Sequence, residues 1–375
     1  MTVLPAPAPR CVLAFGAYLK NTLCLLNGSE ATLSAVHGDL GTPEACAALA
    51  RSAEMLVERA GGAIEVVAHD LHPDFESTRL AQAWAERLDV PALAVQHHHA
   101  HIGVVQAELG SVERVVGLAL DGVGLGSDRT IWGGELLLVR GQRCSRLGAL
   151  TPIALPGGDI AAREPWRMAA AALHALERSP EIVPRLRAVA GADKASMIAR
   201  MLERRLQCPI STSAGRWFDA VAGLLGVSVR QAIEAEAAMA LERLASDYLQ
   251  HHPEPAWRPQ GLELRPLMAA LLAHHDAAGE SGRGEAAALF HVGLARALVV
   301  AAAQAASTHG ARLVALGGGC FFNRVLSERV TRGLAEHDLA SAAPAAVSCG
   351  DAGLALGQAW IAAHALAAGE APQCA

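Results

Sequence analysis

The sequence predicts a duplicated α/β protein, two lobes with a cleft between them. Three observations carry that prediction. A short apolar strand at residues 11–16 is followed by a hairpin, and the same order restarts at Val115: strand, glycine-rich turn, two hairpin strands. The 375 residues exceed one ordinary core and suggest two units of roughly 150–200 residues each. Hydrophobic residues make up 52% of the chain but aromatic ones only 4%, and Ala is abundant, which favours closely packed helices. The expected division is 1–114 for the first lobe and 115–351 for the second, with a helical insertion. A C-terminal helix over 352–375 is expected to pack back on the first lobe.

In the first lobe, strands at 21–26 and 31–36 flank the turn signal Asn27-Gly28. Thr42 caps a helix with Pro43 at its first position, and Gly61-Gly62 ends it. A strand at 64–68, a helix at 77–88 and a strand at 92–95 follow. The second lobe opens with a strand at 115–120, ending in the turn Asp121-Gly122-Val123-Gly124-Leu125-Gly126. Strands at 131–140 and 144–152 turn at Gly141-Gln142. Helical stretches are expected at 160–187, 195–206, 216–225, 230–251 and 284–308, with a polar break at 211–215. A strand at 313–316 runs into Gly317-Gly318-Gly319 and a helix at 322–334; the last helix covers 354–366. His251-His252 and His274-His275 read as solvated helix ends.

Bulk properties exclude several classes. A net charge of −6 without a basic stripe gives nucleic-acid binding no support. The eight cysteines form no CxxC pair, which argues against a zinc ribbon or disulfide framework and for a reducing compartment. Residues 1–10 are Pro/Ala-rich and carry no apolar signal segment. No apolar run reaches about 18 residues without a charge or His, so no membrane span is expected. The expected location is cytoplasmic.

Chemistry concentrates at Gln96-His97-His98-His99-Ala100-His101. If the helix opens there, His97 and His101 stand at i and i+4 on one face, a spacing that offers two nitrogens to one metal ion. A polar histidine tract is the competing reading. A third ligand must come from elsewhere; Asp351, after Ser348-Cys349-Gly350, is either that ligand or a helix cap. The turn at Gly317–319 is either an anion site at a helix start or a packing device. Asp121 either stabilises a turn or orients Mg²⁺ or substrate, and Lys20 reaches either a phosphate or a surface carboxylate. Cys320 reads as a structural thiol and Cys374 as part of a frayed tail.

Several runs then fall in order: Leu19-Lys20-Asn21-Thr22, His69-Asp70-Leu71-His72-Pro73-Asp74, the histidine cluster, Asp121-Gly122 and Leu155-Pro156-Gly157-Gly158-Asp159. They continue with Glu164-Pro165-Trp166-Arg167-Met168, Ser213-Ala214-Gly215-Arg216, Phe218-Asp219-Ala220-Val221, Gly318-Gly319, Asn323-Arg324, Asp351 and Leu356-Gly357-Gln358-Ala359. From Val12 to Ala359 the chain resembles the C-terminal transferase domain of the HypF family, carbamoyltransferases of nickel–iron hydrogenase maturation. The resemblance implies an actin-like (ASKHA), two-lobed nucleotide-binding fold similar to TsaD, the threonylcarbamoyl transferase of tRNA. It implies iron or zinc on His97, His101 and Asp351. It puts nucleotide contacts on Asp121, Gly122, Val123 and Gly124, on Asp219, on Glu234, and on Gly318, Gly319 and Asn323. Ile233, Ala235, Gly317, Phe322 and Ala352 depart from the family pattern.

In the family, carbamoyl phosphate and ATP give carbamoyl-adenylate, and the carbamoyl group passes to the C-terminal Cys thiolate of HypE, a precursor of the cyanide ligand. The acylphosphatase domain, paired CxxC sites and YrdC-like adenylate-forming domain of full-length HypF have no counterpart in these residues. The chain is therefore either a short natural form or a piece of a longer one, and only the transfer step is expected of it. The implied cofactors are one Fe or Zn ion, ATP or carbamoyl-adenylate, and optionally Mg²⁺. The implied partners are a HypE-like acceptor and a YrdC-like domain or protein, with a homodimer left open. The rival readings are an O-carbamoyltransferase of small molecules, a TsaD-like tRNA enzyme disfavoured by the charge, and a non-catalytic scaffold.

Overall fold

The computed structural model describes residues 1–375. The first sheet contains β1 (Thr2–Val3), β2 (Val12–Ala14), β3 (Cys24–Asn27), β4 (Glu30–Leu33), β5 (Val66–Asp70) and β6 (Ala92–Val95), in the order β1-β4-β3-β2-β5-β6. Strands β2, β3 and β4 form an antiparallel meander, and β5 and β6 add in parallel beside β2. The parallel strands are joined through α1 (Pro43–Ala60) and α2 (Glu76–Leu88). Helix α1 begins and ends where its caps dictate: the Thr42 side chain accepts from Ala45 N, and Gly61 closes the helix in the left-handed region.

The second sheet repeats the plan. It contains β7 (Val115–Leu125), β8 (Ile131–Arg140) and β9 (Arg143–Ala149) as the meander, with β12 (Leu313–Gly317) and β13 (Ala340–Ala342) added in parallel beside β7. The short strands β10 (Ile153–Ala154) and β11 (Ile210–Ser211) extend the β8 edge. Between β9 and β12 lies the helical body: α4 (Ile160–Arg163), α5 (Pro165–Ala175), α6 (Ile182–Ala190), α7 (Ala192–Arg204), α8 (Ala214–Leu224), α9 (Glu236–His251), α10 (Arg265–Ala278) and α11 (Arg283–His309). The duplicated, actin-like architecture is thus present in full.

Two helices join the halves. Helix α3 (His97–Glu108) follows the last strand of the first sheet yet packs on β7 and β12 of the second. Helix α13 (Asp351–Ala368) follows the second sheet, after α12 (Arg324–Ala335) and β13, yet packs on β2 and β5 of the first. The two helices also pack on each other. Glycine makes this crossing possible: a Cβ on Gly357 would collide with Ala100 O, and one on Gly103 would lie 2.7 Å from Ile361 Cδ1.

Several expectations need correction. The last helix does not reach residue 375: it stops at Ala368, with Gly369 in the left-handed region, and β14 (Gln373–Cys374) pairs with β9 of the second sheet. The tail is therefore anchored rather than frayed. The strand predicted to end at Leu120 continues through a bulge to Leu125, so Asp121 to Gly124 lie in a strand and the turn falls later, at Gly126–Thr130. Helix α9 starts at Glu236, because Ala235 adopts a left-handed conformation that breaks the run from 230. The stretch Arg265–His309 is long and apolar enough to cross a membrane by composition, but 78% of its apolar window is buried, as in a core helix.

Candidate metal centre

Helix α3 begins at the histidine cluster because Gln96 caps it: its side-chain oxygen accepts from His99 N at 2.8 Å. All four histidines are buried, at 0–2% exposure, so the cluster is no solvated tract. Two of them are occupied within the protein. His98 Nδ1 accepts from Gln96 Nε2 at 3.1 Å, and His99 Nε2 donates to Gly141 O at 2.9 Å. Burial, then the charge of His97, holds His98 well below its ordinary range; burial lowers His99 to about 4.

His97 and His101 face the other way, toward Asp121 of β7 and Asp351, the first residue of α13. His97 Nε2 lies 3.2 Å from Asp121 Oδ2 and 3.5 Å from Asp351 Oδ1; His101 Nε2 lies 3.3 Å and 3.5 Å from the same two oxygens. All four ligand atoms lie within 4.8 Å of one another. An ion with metal–ligand distances near 2.0–2.1 Å in a tetrahedral site separates its donors by about 3.3 Å. The observed nitrogen–oxygen spacings match that edge length.

A further carboxylate sets the chemistry of His97. Its Nδ1 donates to Asp70 Oδ2 at 2.9 Å, and Asp70 ends β5. A neutral His97 then presents a lone pair at Nε2, aimed at two carboxylate oxygens. Lone pair against lone pairs is repulsive unless positive charge sits between them, supplied by a proton or a metal ion. Burial disfavours charge on His97, yet its hydrogen bonds to the carboxylates of Asp121, Asp351 and Asp70 outweigh it and raise the imidazole well above its usual value. Burial also lowers His101, but its hydrogen bonds to Asp121 and Asp351 outweigh that and raise it. Asp121 is pushed up by burial but pulled well below the carboxylate range by the two imidazoles. Two nitrogens, two carboxylate oxygens and a carboxylate behind one imidazole form a donor set suited to a divalent ion.

Backbone shape clears this space. A Cβ on Gly124 would lie 2.6 Å from His98 Cε1 and 2.8 Å from His97 Cδ2. Gly318 has φ +98°, and a Cβ there would strike Leu120 O; Gly319 N donates to Asp121 Oδ1 at 3.2 Å. The glycine turn after β12 therefore touches the carboxylate of the donor group directly.

The remaining sequence candidates lie around this centre in different states. Lys20 bridges to Glu234 at 2.8 Å, both about half exposed. Asp219 is buried, with Arg216 at 3.0 Å and Gln231 donating at 2.9 Å. Asn323 caps α12 by accepting from Leu326 N at 2.9 Å, and its amide nitrogen contacts His291 Nε2 at 3.0 Å. The side chains of Asp219 and Asn323 are thus engaged within the second lobe. Gly122 faces Arg216, and Val123 is exposed. Burial, then the Asp121 charge, holds the Cys320 thiol well above its ordinary range, so it offers no ready thiolate. Sequence reasoning missed Asp70 behind His97 and the membership of Asp121 in the donor group. The run His69–Asp74 was the available signal for Asp70, but nothing in it says which side chain points at the cluster.

Comparison with known proteins gives a consistent result. Residues 7–108 match the family described as HypF Kae1-like domain, and residues 117–358 match carbamoyltransferase, Kae1-like domain, second subdomain. The carbamoyltransferase HypF homolog of Cupriavidus necator is 58% identical over 99% of this chain and 96% of its own length. Carbamoyltransferase HypF2 of the same organism is 47% identical, over 94% of this chain but 46% of its own length. Full-length HypF in a phosphate- and nucleotide-bound form superposes with a TM-score of 0.86 at 30% identity, over 97% of this chain and 47% of that one. T. kodakarensis HypF gives 0.88 at 28% identity, over 99% and 49%. The chain thus spans nearly all of one relative and about half the length of the others.

Proposed function

This chain belongs to the HypF family, and on that premise we propose that it performs the transfer half of a carbamoyltransferase reaction. It takes the carbamoyl group of carbamoyl-adenylate and passes it to the C-terminal Cys thiolate of a HypE-like acceptor protein. The observation that carries this reading is the convergence of His97, His101, Asp121 and Asp351 within 4.8 Å, with Asp70 behind His97. In the reaction the thiolate sulfur bonds to the carbamoyl carbon, the bond from that carbon to the phosphate oxygen breaks, and AMP leaves with the electron pair.

His97, His101, Asp121 and Asp351 would hold one zinc or iron ion, which when bound supplies Lewis-acid polarisation of substrate oxygens. Asp70 fixes the His97 tautomer so that Nε2 stays an electron-pair donor. Gly318 and Gly319 keep the backbone bare for a phosphate to approach. Lys20, paired with Glu234 beside the donor group, exchanges that carboxylate for the phosphate of the adenylate. The adenylate itself comes from a YrdC-like domain or protein.

The test supplies carbamoyl-adenylate from a separate adenylate-forming protein and follows labelled carbamoyl on the acceptor Cys. Transfer is expected with the wild type and is expected to vanish in His97→Ala/His101→Ala. With carbamoyl phosphate and ATP alone, pyrophosphate release should stay at background. Robust pyrophosphate release by the 375-residue chain, or transfer indifferent to the histidines, would overturn the proposal.

A further inference from the structure

The tail beyond α13 crosses to the second sheet and is held there by several contacts. The Glu370 carboxylate pairs with Arg143 and accepts from Gln142 Nε2 at 2.9 Å. Ala375 N donates to Cys144 O at 3.1 Å, and Arg146 N donates to Ala375 O at 2.7 Å. This parallel pairing sets Cys374 directly beside Cys144 in register. Their sulfurs lie 2.9 Å apart, the one sulfur–sulfur contact among the eight cysteines. Cys144 is buried, whereas Cys374 is partly exposed.

We propose that Cys144 and Cys374 form a reversible cross-link site, closed by a low-molecular-weight disulfide of the glutathione type. The Cys374 thiolate attacks one sulfur of the external disulfide, forming a mixed disulfide and releasing one small thiolate. Cys144 then loses its proton to solvent and attacks the Cys374 sulfur, displacing the second small thiol. Two protein thiols and one small disulfide give one protein disulfide and two small thiols; the cysteines are oxidised and the external disulfide is reduced. The roles follow from access: the partly exposed sulfur meets the reagent, and the buried one resolves the adduct. Burial, then the hydrogen bond with Cys374, holds the Cys144 thiol well above its ordinary range, so Cys144 is the less ready nucleophile of the reduced pair.

The link joins residues 230 positions apart and ties the tail strand β14, beyond α13, to β9. A closure of that length restricts the unfolded chain, so the oxidised protein should melt at least about 2 °C higher. The proposal stands whether or not the transfer reading is correct.

The experiment uses the full chain, treated with oxidised glutathione and then alkylated, with peptide mapping under non-reducing conditions. In the wild type, alkylated after denaturation, Cys144 and Cys374 should be lost together from the alkylated set, with a peptide joining Cys144 to Cys374 and no covalent dimer. Cys144→Ser should instead accumulate the mixed disulfide at Cys374, and Cys374→Ser should give no cross-linked peptide. A Cys11→Ser control should cross-link like the wild type. A wild type that stops at the mixed disulfide, links other cysteines or joins two chains would overturn the proposal.

Discussion

Asp70 Oδ2 lies 2.9 Å from His97 Nδ1, with both side chains almost wholly buried. The carboxylate ends a strand of the first sheet, whereas the imidazole opens the helix that packs on the second. One hydrogen bond therefore couples the first sheet to the donor group. Asp70→Asn keeps the shape but removes the charge that makes His97 a strong electron-pair donor. Its zinc or iron affinity is expected to fall about 10–100-fold. Competition titration with a chelating dye measures this, and near-UV circular dichroism checks the fold. Unchanged affinity would mean that Asp70 has no influence on the ligand.

Gly357→Ala tests the crossing of α3 and α13. Ala is the better helix former by about 1 kcal/mol, yet its methyl would collide with Ala100 O. The expected outcome is a net loss of about 1–3 kcal/mol in urea unfolding. Metal content should drop with it, because both helices carry donors in their first turns. A stabilised variant would show that the helices separate at little cost.

Lys20→Gln separates a structural role from a binding one. The pair with Glu234 is exposed and worth about 0–1 kcal/mol, so the melting temperature should barely move. Calorimetry should nevertheless show weaker AMP binding. A large loss of stability with undiminished nucleotide affinity would make Lys20 a fastener only.

Asp219 supplies a pH signature. Burial raises it from 3.8 to about 6, against the pull of Arg216 and Gln231. Between those values the folded state holds a proton that the unfolded chain has released, so stability falls as pH rises through the window. The contribution is fully present below about pH 4 and gone above about pH 6, a span of about 2–4 kcal/mol. Asp219→Asn cannot titrate, so its urea midpoint should be flatter than that of the wild type between pH 4 and 7. Parallel profiles would place the proton elsewhere.

What could be read from the sequence was local. Thr42, Pro43 and Gly61 bound α1 within their own turns, and residues 92–101 declare a strand followed by a helix. His97 and His101 pair through helical spacing alone. Asp70 and Asp121 do not: they reach the group across 27 and 24 positions, through sheet register that no local pattern encodes. The bulge that carries Asp121 hid as a turn because Gly124, which reads as a turn residue, serves the packing of His97 and His98 against the strand. Strand β13 and tail strand β14, two or three residues long, are too short to show an alternation. They exist because a neighbouring edge stands ready to pair.

The exchange of α3 and α13 between the two sheets has a mechanical consequence. His97 and Asp351 sit at the inner ends of two rods that touch each other, each braced on the opposite half of the molecule. When two bodies rotate about such a crossing, points near the axis travel least and points at the rim travel furthest. The donor group lies at this crossing, with the Lys20–Glu234 pair close enough to feel the charges of Asp121 and Asp351. Any rotation of one half against the other about that crossing would therefore displace His97 and Asp351 less than residues at the rim.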